Sequence, residues 1–515
     1  MSTATSETGR YTDEQRRALA SPEPVVALEA GAGCGKTFVL TERLLAHLDP
    51  VVGQPPAVDE VVAITFTDAA AREMRDRVRR ECLDRLERAD GSRRGPLRRL
   101  LRSLDAARVS TIHAFCGGLL RTHAVAMGLD PGFTVLEQAT ADVMRSEATD
   151  ACLRESLDRQ NESVLALAAE FGVSGLRQRL IELPPLDDAL RQAWLAKSAD
   201  EVVTGWRAAS EQLTRQVLEE ICDSPALDRL TVLLHSAEAA TDGFRSKREL
   251  LLDLIAEIRS DQARPALLGQ LRDGLKLHGS YRKSWPDPSD YDAFKQAADS
   301  VKKLIAGVPV LASGDALRHA ADLGLALLRE SARVEDAYLE AKRSANGLDY
   351  DDLLRETHRL LTDPEHAGIQ HGLRRDVRLL LVDEFQDTDG LQAGIVRALV
   401  GLHASDEPDP GADPGRLFFV GDFKQSIYRF RGAEPRVFQE LQNDTPPGGR
   451  LPLSTNFRSQ PAVLEFVNHL FADAFGDRYT RLAAARPQVT DLPAVELLQT
   501  TPPEDHAGVK QQRLA

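Results

Sequence analysis

No stretch of this 515-residue chain reaches the roughly eighteen consecutive apolar residues that a bilayer-crossing helix needs. Cysteine is scarce. Its five positions, Cys34, Cys82, Cys116, Cys152 and Cys222, contain no C-x-x-C pair. That spacing argues against zinc or an iron–sulfur cluster and for a reducing cytoplasm. The first ten residues, MSTATSETGR, lack an apolar core and read as a disordered polar tail over 1–10, not a signal peptide. Aromatics are only 5% of the chain, and no repeat of about 20–50 residues emerges, which excludes solenoid and propeller arrays. Positive charge is in deficit: 64 Lys and Arg stand against 79 Asp and Glu, a net −15. Such a balance disfavours a protein that coats DNA, but a local basic track can still hold phosphates. What remains, 42% hydrophobic and 28% charged, is the composition of a globular chain long enough for about three domains.

The chain is organised around Val25 to Thr37, VVALEAGAGCGKT. A β-prone apolar run leads into Ala30, Gly31, Ala32, Gly33, Cys34, Gly35, Lys36 and Thr37, and good helix formers follow from Phe38 to His47. Strand, glycine-rich turn and helix form the setting of a phosphate-binding loop: backbone N–H groups converge on phosphate oxygens at a helix N-terminus. Lys36 is placed to reach the β- and γ-phosphates, and the Thr37 hydroxyl to ligate Mg²⁺. Ala30 stands where the strict pattern has its first glycine. Upstream, Thr12 or Asp13 caps a helix carrying Gln15, whose amide can both donate to and accept from adenine.

Two further apolar strands end in chemistry-bearing residues. Val377-RLLLVDEFQDTD places Asp383 and Glu384 beyond a strand's carboxyl end, one suited to hold Mg²⁺ and the other to polarise an attacking water. Leu417-FFVGDFKQSIYRFRGAEP places Gln425, Tyr428, Arg429, Phe430 and Arg431 past another such end. Interleaved aromatics and arginines suit stacking on unpaired bases. Glu60-VVAITFT reads as a buried strand of a parallel sheet, and the helix after it is basic. Twelve arginines from Arg72 to Arg102 oppose six acids, a charge pattern that a solvated helix face largely explains. Val109-STIHAFC is a strand entering a helix, where His113 alone reads as a packed or helix-start histidine. Between about Gln138 and Ala345 the pattern is helical, with amphipathic segments Val143–Leu157, Leu165–Leu183, Val217–Ala239 and Ala316–Lys342. All three Trp fall there and read as core. Pro/Gly-rich connections are expected at Asp49–Pro56 and Ser405–Gly415. Leu451-PLSTNFRS closes the series with Phe457 and Arg458.

In this order the segments resemble the motifs of superfamily-one DNA helicases of the UvrD kind, most closely the AddA and RecB helicase-nuclease subunits, through VSTIHAFC, DEFQDTD and GDFKQSIYRFRGAEP. The resemblance implies an α/β fold: a RecA-like parallel-sheet P-loop motor domain (11–115 and 346–449), a large all-helical accessory insert (116–345) and the start of an incomplete second RecA-like domain (450–515). It implies that Gln15 reads adenine, that Gly33 to Thr37 bind ATP, and that Asp383 and Thr37 hold Mg²⁺. Glu384 takes the place of the catalytic base, Gln425 of the γ-phosphate sensor, Arg458 of a transition-state arginine, and Phe457 of a ring stacked on the base. Phe66, Thr67, His113, Tyr428 and Phe430 would line a single-stranded DNA path. Implied too are an ATP-dependent 3′-to-5′ translocase of recombinational or double-strand-break repair, acting on single-stranded or 3′-tailed DNA at the bacterial nucleoid, and an AddB- or RecC-like partner. The family's later G-L-E- and T-R-A-type motifs are not found. On that reading nothing would hold Arg458 over the nucleotide, and the chain alone would bind ATP and DNA with little turnover. Two alternatives stay open: an ATP- and DNA-binding module that needs a partner to turn over, and a P-loop phosphotransferase.

Overall fold

A computed structural model of the chain describes residues 10–48, 58–183, 188–238, 242–260, 265–276, 279–308, 311, 314–402, 416–476, 479–489 and 495–496. Residues 1–9 of the polar tail, the connection at 49–56, the loop at 405–415 and residues 497–515 lie outside the described residues. The chain divides into two units, one of Met1–Gln138 with Ala345–Ala515 and one of Ala139–Ser344.

The first unit is built on a six-stranded, wholly parallel sheet. Its strands are β1 (Val25–Ala30), β2 (Val61–Thr65), β3 (Arg108–Thr111), β6 (Leu379–Val382), β7 (Leu417–Gly421) and β8 (Arg450–Leu453), in the spatial order β3-β2-β6-β7-β1-β8. The four inner strands read as largely apolar runs because both faces are covered. Alternate residues of each strand serve opposite cores. Val25, Val62, Ile64, Leu380, Val382, Leu417 and Phe419 face one cluster, with the helices Ile112–Thr122, Tyr350–Thr362 and Gly390–Val400. Val26, Leu28, Val61, Ala63, Leu379, Leu381, Phe418 and Val420 face the other, with Lys36–His47 and Asp68–Arg88. Since every strand runs the same way, all six carboxyl ends share one edge.

Two short parallel pairs complete this unit: β4 (Thr134–Val135) with β5 (Gly347–Leu348), and β9 (Thr455–Asn456) with β10 (Ala483–Ala484). They shift the boundaries read from sequence. The helical unit starts at Ala139, not 116, because helix Ile112–Thr122 buries Phe115, Cys116, Leu119 and Leu120 in the sheet core. Residues 450–453 likewise form the sixth strand of this sheet, not the opening of another. Pro452, which has no N–H to donate, marks β8 as an edge strand. The basic stretch, read as one helix, is two, Asp68–Arg88 and Gly91–Ser103, the second capped by Asp90 through the Arg93 N–H.

In the Ala139–Ser344 unit the described elements are helical. Gly172, at φ +70°, breaks the Leu165–Leu183 segment into Glu162–Phe171 and Val173–Glu182. Ser224 and Pro225 likewise start a fresh helix inside Val217–Ala239. Trp285 is buried and donates its indole N–H to the Leu233 carbonyl at 2.9 Å. Trp194 and Trp206 pack on the Val202, Val203 and Leu317 cluster. Trp285 is core, as expected, and Trp194 and Trp206 are half-buried against a core cluster. No helix among the described residues is long and apolar enough to cross a membrane.

Candidate active site

The turn after β1 has the curl that phosphate binding demands. Gly33 and Gly35 sit at φ +76° and +82°, in the left-handed region that side chains disfavour. Gly35 is the N-cap of helix Lys36–His47, which puts Lys36 and Thr37 in its first turn. Cys34 is buried within the turn, and burial pushes its thiol up to about 11, away from reactivity.

Three strand ends meet at Lys36, which is 9% exposed. Its ammonium lies 2.6 Å from Glu384 Oε2, past β6, and 3.4 Å from Gln425 Oε1, past β7. Residues about 350 and 390 positions apart in sequence are thus brought together. Glu384 itself is held in the left-handed region, at φ 52° and ψ 43°. Asp383 is 8% exposed. Burial, reinforced by the neighbouring Glu384 charge, pushes its carboxyl up to about 6. Gln386 donates to Glu384 at 2.8 Å while its carbonyl accepts the Asp422 N–H at 3.0 Å, tying β6 to β7.

Gln15 is buried, and its Oε1 accepts the Thr12 N–H at 3.1 Å in a capping box. Its Nε2 faces Gly35, whose hydrogens leave the room: a Cβ there would stand 3.3 Å from that nitrogen. The two-sided amide foreseen for adenine therefore has its acceptor side already engaged. Phe457 lies on the same side of Gly35 and is 39% exposed.

The backbone at Arg458, expected to be loose, is anchored to the loop. β8 lies beside β1, so the N-F-R-S segment folds onto the loop. Asn456 Nδ2 donates to the Ala32 carbonyl at 2.5 Å, and the Phe457 N–H to the Gly33 carbonyl at 2.9 Å. Asn456 Oδ1 accepts the N–H groups of Arg458 and Ser459 at 2.8 and 2.7 Å. A Cβ on Gly33 would meet Arg458 Cβ at 2.7 Å. Asn456 was missed by the sequence reading; an Asn between a strand and a helix start is its visible signal. Also missed was an ionic group beneath the loop. Lys424 Nζ lies 2.6 Å from Glu29 Oε1 and 2.9 Å from Asp422 Oδ1. A lone Glu in the apolar β1 run was the clue.

Farther along the edge, Phe66 follows β2 and its ring stacks on Tyr428, with centroids 5.0 Å apart. Phe430, 79% exposed, adjoins Tyr428 at 6.1 Å. Thr67 is exposed and caps helix Asp68–Arg88 through the Ala70 N–H. His113 lies edge-on to the Tyr350 ring at 5.1 Å, and burial lowers its basicity. The rings of Phe66, Tyr428 and Phe430 thus form one run beside Thr67, and His113 pairs with Tyr350.

Among the described residues no group of three or more His, Cys, Asp or Glu side chains could hold a metal. A divalent ion here would draw on Thr37, Asp383 and phosphate oxygens, a donor set that suits Mg²⁺. Asp383 fits that part, since a nearby cation offsets the burial that disfavours its charge.

Residues 11–446 match the family described as UvrD/REP helicase N-terminal domain. Among curated proteins, an ATP-dependent helicase/nuclease subunit from Acetivibrio thermocellus is 28% identical over 90% of this chain and 39% of its own length. The protein of the same name from Syntrophomonas wolfei is 29% identical over 90% of this chain and 38% of its own. Its namesake from Lysinibacillus sphaericus is 27% identical over 98% and 43%. The chain thus spans about two fifths of the length of the curated relatives it matches.

Proposed function

The chain belongs to the UvrD/REP helicase family, and we propose that it is the ATP-hydrolysing, single-strand-engaging part of a 3′-to-5′ DNA translocase. Its setting would be recombinational repair of broken DNA, beside an AddB- or RecC-like subunit. The observation that carries this is the convergence on Lys36 of Glu384 and Gln425, from three parallel strand ends, with an aromatic stack on the same edge.

The geometry suggests how a triphosphate engages. Without one, the Lys36 charge is shared with Glu384. Phosphate oxygens arriving in the glycine turn take over Lys36, and the Glu384 carboxylate is released to accept a proton from an attacking water. Thr37 and Asp383 would hold Mg²⁺, which supplies charge neutralisation across the phosphates. Arg458, held by Asn456 against the loop, adds positive charge where the transferring phosphoryl group develops it. Such an arginine is worth on the order of 10³–10⁵ in rate in related enzymes. Phe66, Tyr428 and Phe430 would stack bases, and Gln425 would couple that surface to the γ-phosphate.

A DNA-stimulated ATPase assay tests this. Lys36→Ala should abolish triphosphate binding, and Glu384→Gln should keep binding while suppressing turnover. Tight binding of ATP and DNA with no turnover would favour the binding-module alternative. Turnover indifferent to DNA would favour a phosphotransferase and end the motor reading.

A further inference from the structure

We propose that Lys424 is a positioning residue that sets the orientation of the Gln425 carboxamide, and through it the discrimination between tri- and diphosphate. The inference rests on the reading of Gln425 as the γ-phosphate sensor and adds the group that aims it.

Asp422 is 3% exposed and both of its carboxylate oxygens accept hydrogen bonds. Oδ1 accepts the Lys424 backbone N–H at 3.1 Å and the Lys424 ammonium at 2.9 Å, while Oδ2 accepts Gln425 Nε2 at 2.7 Å. On its far side the Gln425 Oε1 faces Lys36 Nζ at 3.4 Å. A glutamine amide can ordinarily sit either way round. Here an acceptor-only carboxylate lies on one side and a donor-only ammonium on the other, so a single orientation satisfies both. It presents an oxygen, not an N–H, beside Lys36.

Asp422 can impose that orientation because it is itself pinned, its Oδ1 held by both the backbone N–H and the ammonium of Lys424. Removing one partner of a buried ion pair leaves an uncompensated buried charge, and Asp422 would then turn to other donors and release the Gln425 NH₂. Lys424 supplies the counter-ion. Glu29 at 2.6 Å fixes Lys424 in turn, and the ammonium also lies over the Phe423 ring at 4.5 Å. Burial works against the Lys424 charge, yet the hydrogen bonds and charges of Glu29 and Asp422 hold its pKa above the usual lysine value. The path runs Glu29, Lys424, Asp422, Gln425, Lys36, from the floor of β1 to the phosphate site.

The experiment measures the affinities of the whole chain for fluorescent ADP and for a fluorescent non-hydrolysable ATP analogue. Lys424→Met should cut the preference for the triphosphate by about ten-fold while ADP affinity stays within about two-fold. Lys424→Arg should keep the preference. In a Gln425→Ala background, Lys424→Met should change nothing further, because the residue it acts through is gone. Parallel loss of both affinities together with melting temperature would mean that Lys424 is merely structural. Multiplying effects in the double variant would overturn the proposed path. If Gln425→Ala alone leaves the triphosphate preference intact, the sensor reading falls and this inference with it. If Gln425→Ala abolishes the preference and Lys424→Met does not, only the inference falls.

Discussion

At the scale of single residues, the site depends on side chains that hold backbone. Asn456 is 2% exposed and uses both ends of its amide, one on the Ala32 carbonyl and the other on the N–H groups of Arg458 and Ser459. Asn456→Ala removes all three part-buried bonds, each worth about 0.5–1.5 kcal/mol net. Urea unfolding should show that loss, and nucleotide affinity should fall with it, since the loop and Arg458 lose their common tie. Unchanged affinity in a destabilised variant would separate the clamp from binding. Gly33 is constrained twice, by its positive φ and by Arg458 and Asn456 at 2.7 and 2.9 Å from where a Cβ would be. Gly33→Ala should therefore weaken nucleotide binding more than a Gly→Ala change at Gly91, where nothing stands within 4 Å. Titration of a fluorescent nucleotide against both variants checks this.

At the scale of elements, what matters is which strand end carries which chemistry. The residues proposed to engage nucleotide gather past β1, β6, β7 and β8, and the aromatic stack joins the segment after β2 to the one after β7. Phe430 is exposed and should contribute through base stacking, not through the core. Phe430→Ala should weaken single-stranded DNA binding by about 1–3 kcal/mol and leave the melting temperature unchanged. Tyr428→Ala should weaken DNA binding and also disturb its Phe66 partner. A melting-temperature drop with Phe430→Ala and no loss of DNA affinity would make that ring structural. Element types were legible wherever the apolar pattern was continuous, as in LLLV and LFFVG. Breaks in helices were less so: Gly172 and the Ser224-Pro225 pair are local signals, but the turn at Ala89–Asp90 carries only a capping Asp.

At the scale of the whole molecule, the two units have separate cores. The sheet unit has one on each face of its sheet, and the helical unit has clusters around Phe244, Leu167 and Val202. The chain leaves the sheet unit after β4 and returns at β5, and these two strands pair with Thr134 opposite Gly347. The exit and return points are therefore neighbours. Replacing 139–344 with a short Gly/Ser linker should leave a folded sheet unit that binds nucleotide within a few-fold of the intact chain, measured by thermal melting and titration. Loss of the cooperative melt would mean that the sheet unit cannot stand alone.

The sequence by itself determined the parallel sheet, the phosphate loop, the paired carboxylates and the ring-bearing edge. Each is a local pattern: an apolar run, a glycine turn, a motif at a strand end. Tertiary structure alone decided that 450–453 joins the first sheet, that Asn456 clamps the loop, that Lys36 rests on Glu384, and that Lys424 braces Asp422. These depend on strand order, because β1 lies between β7 and β8 and so brings residues more than 390 positions apart within hydrogen-bond distance. Spacing along the chain carries no information about which strands become neighbours, and these long-range hydrogen bonds depend on that.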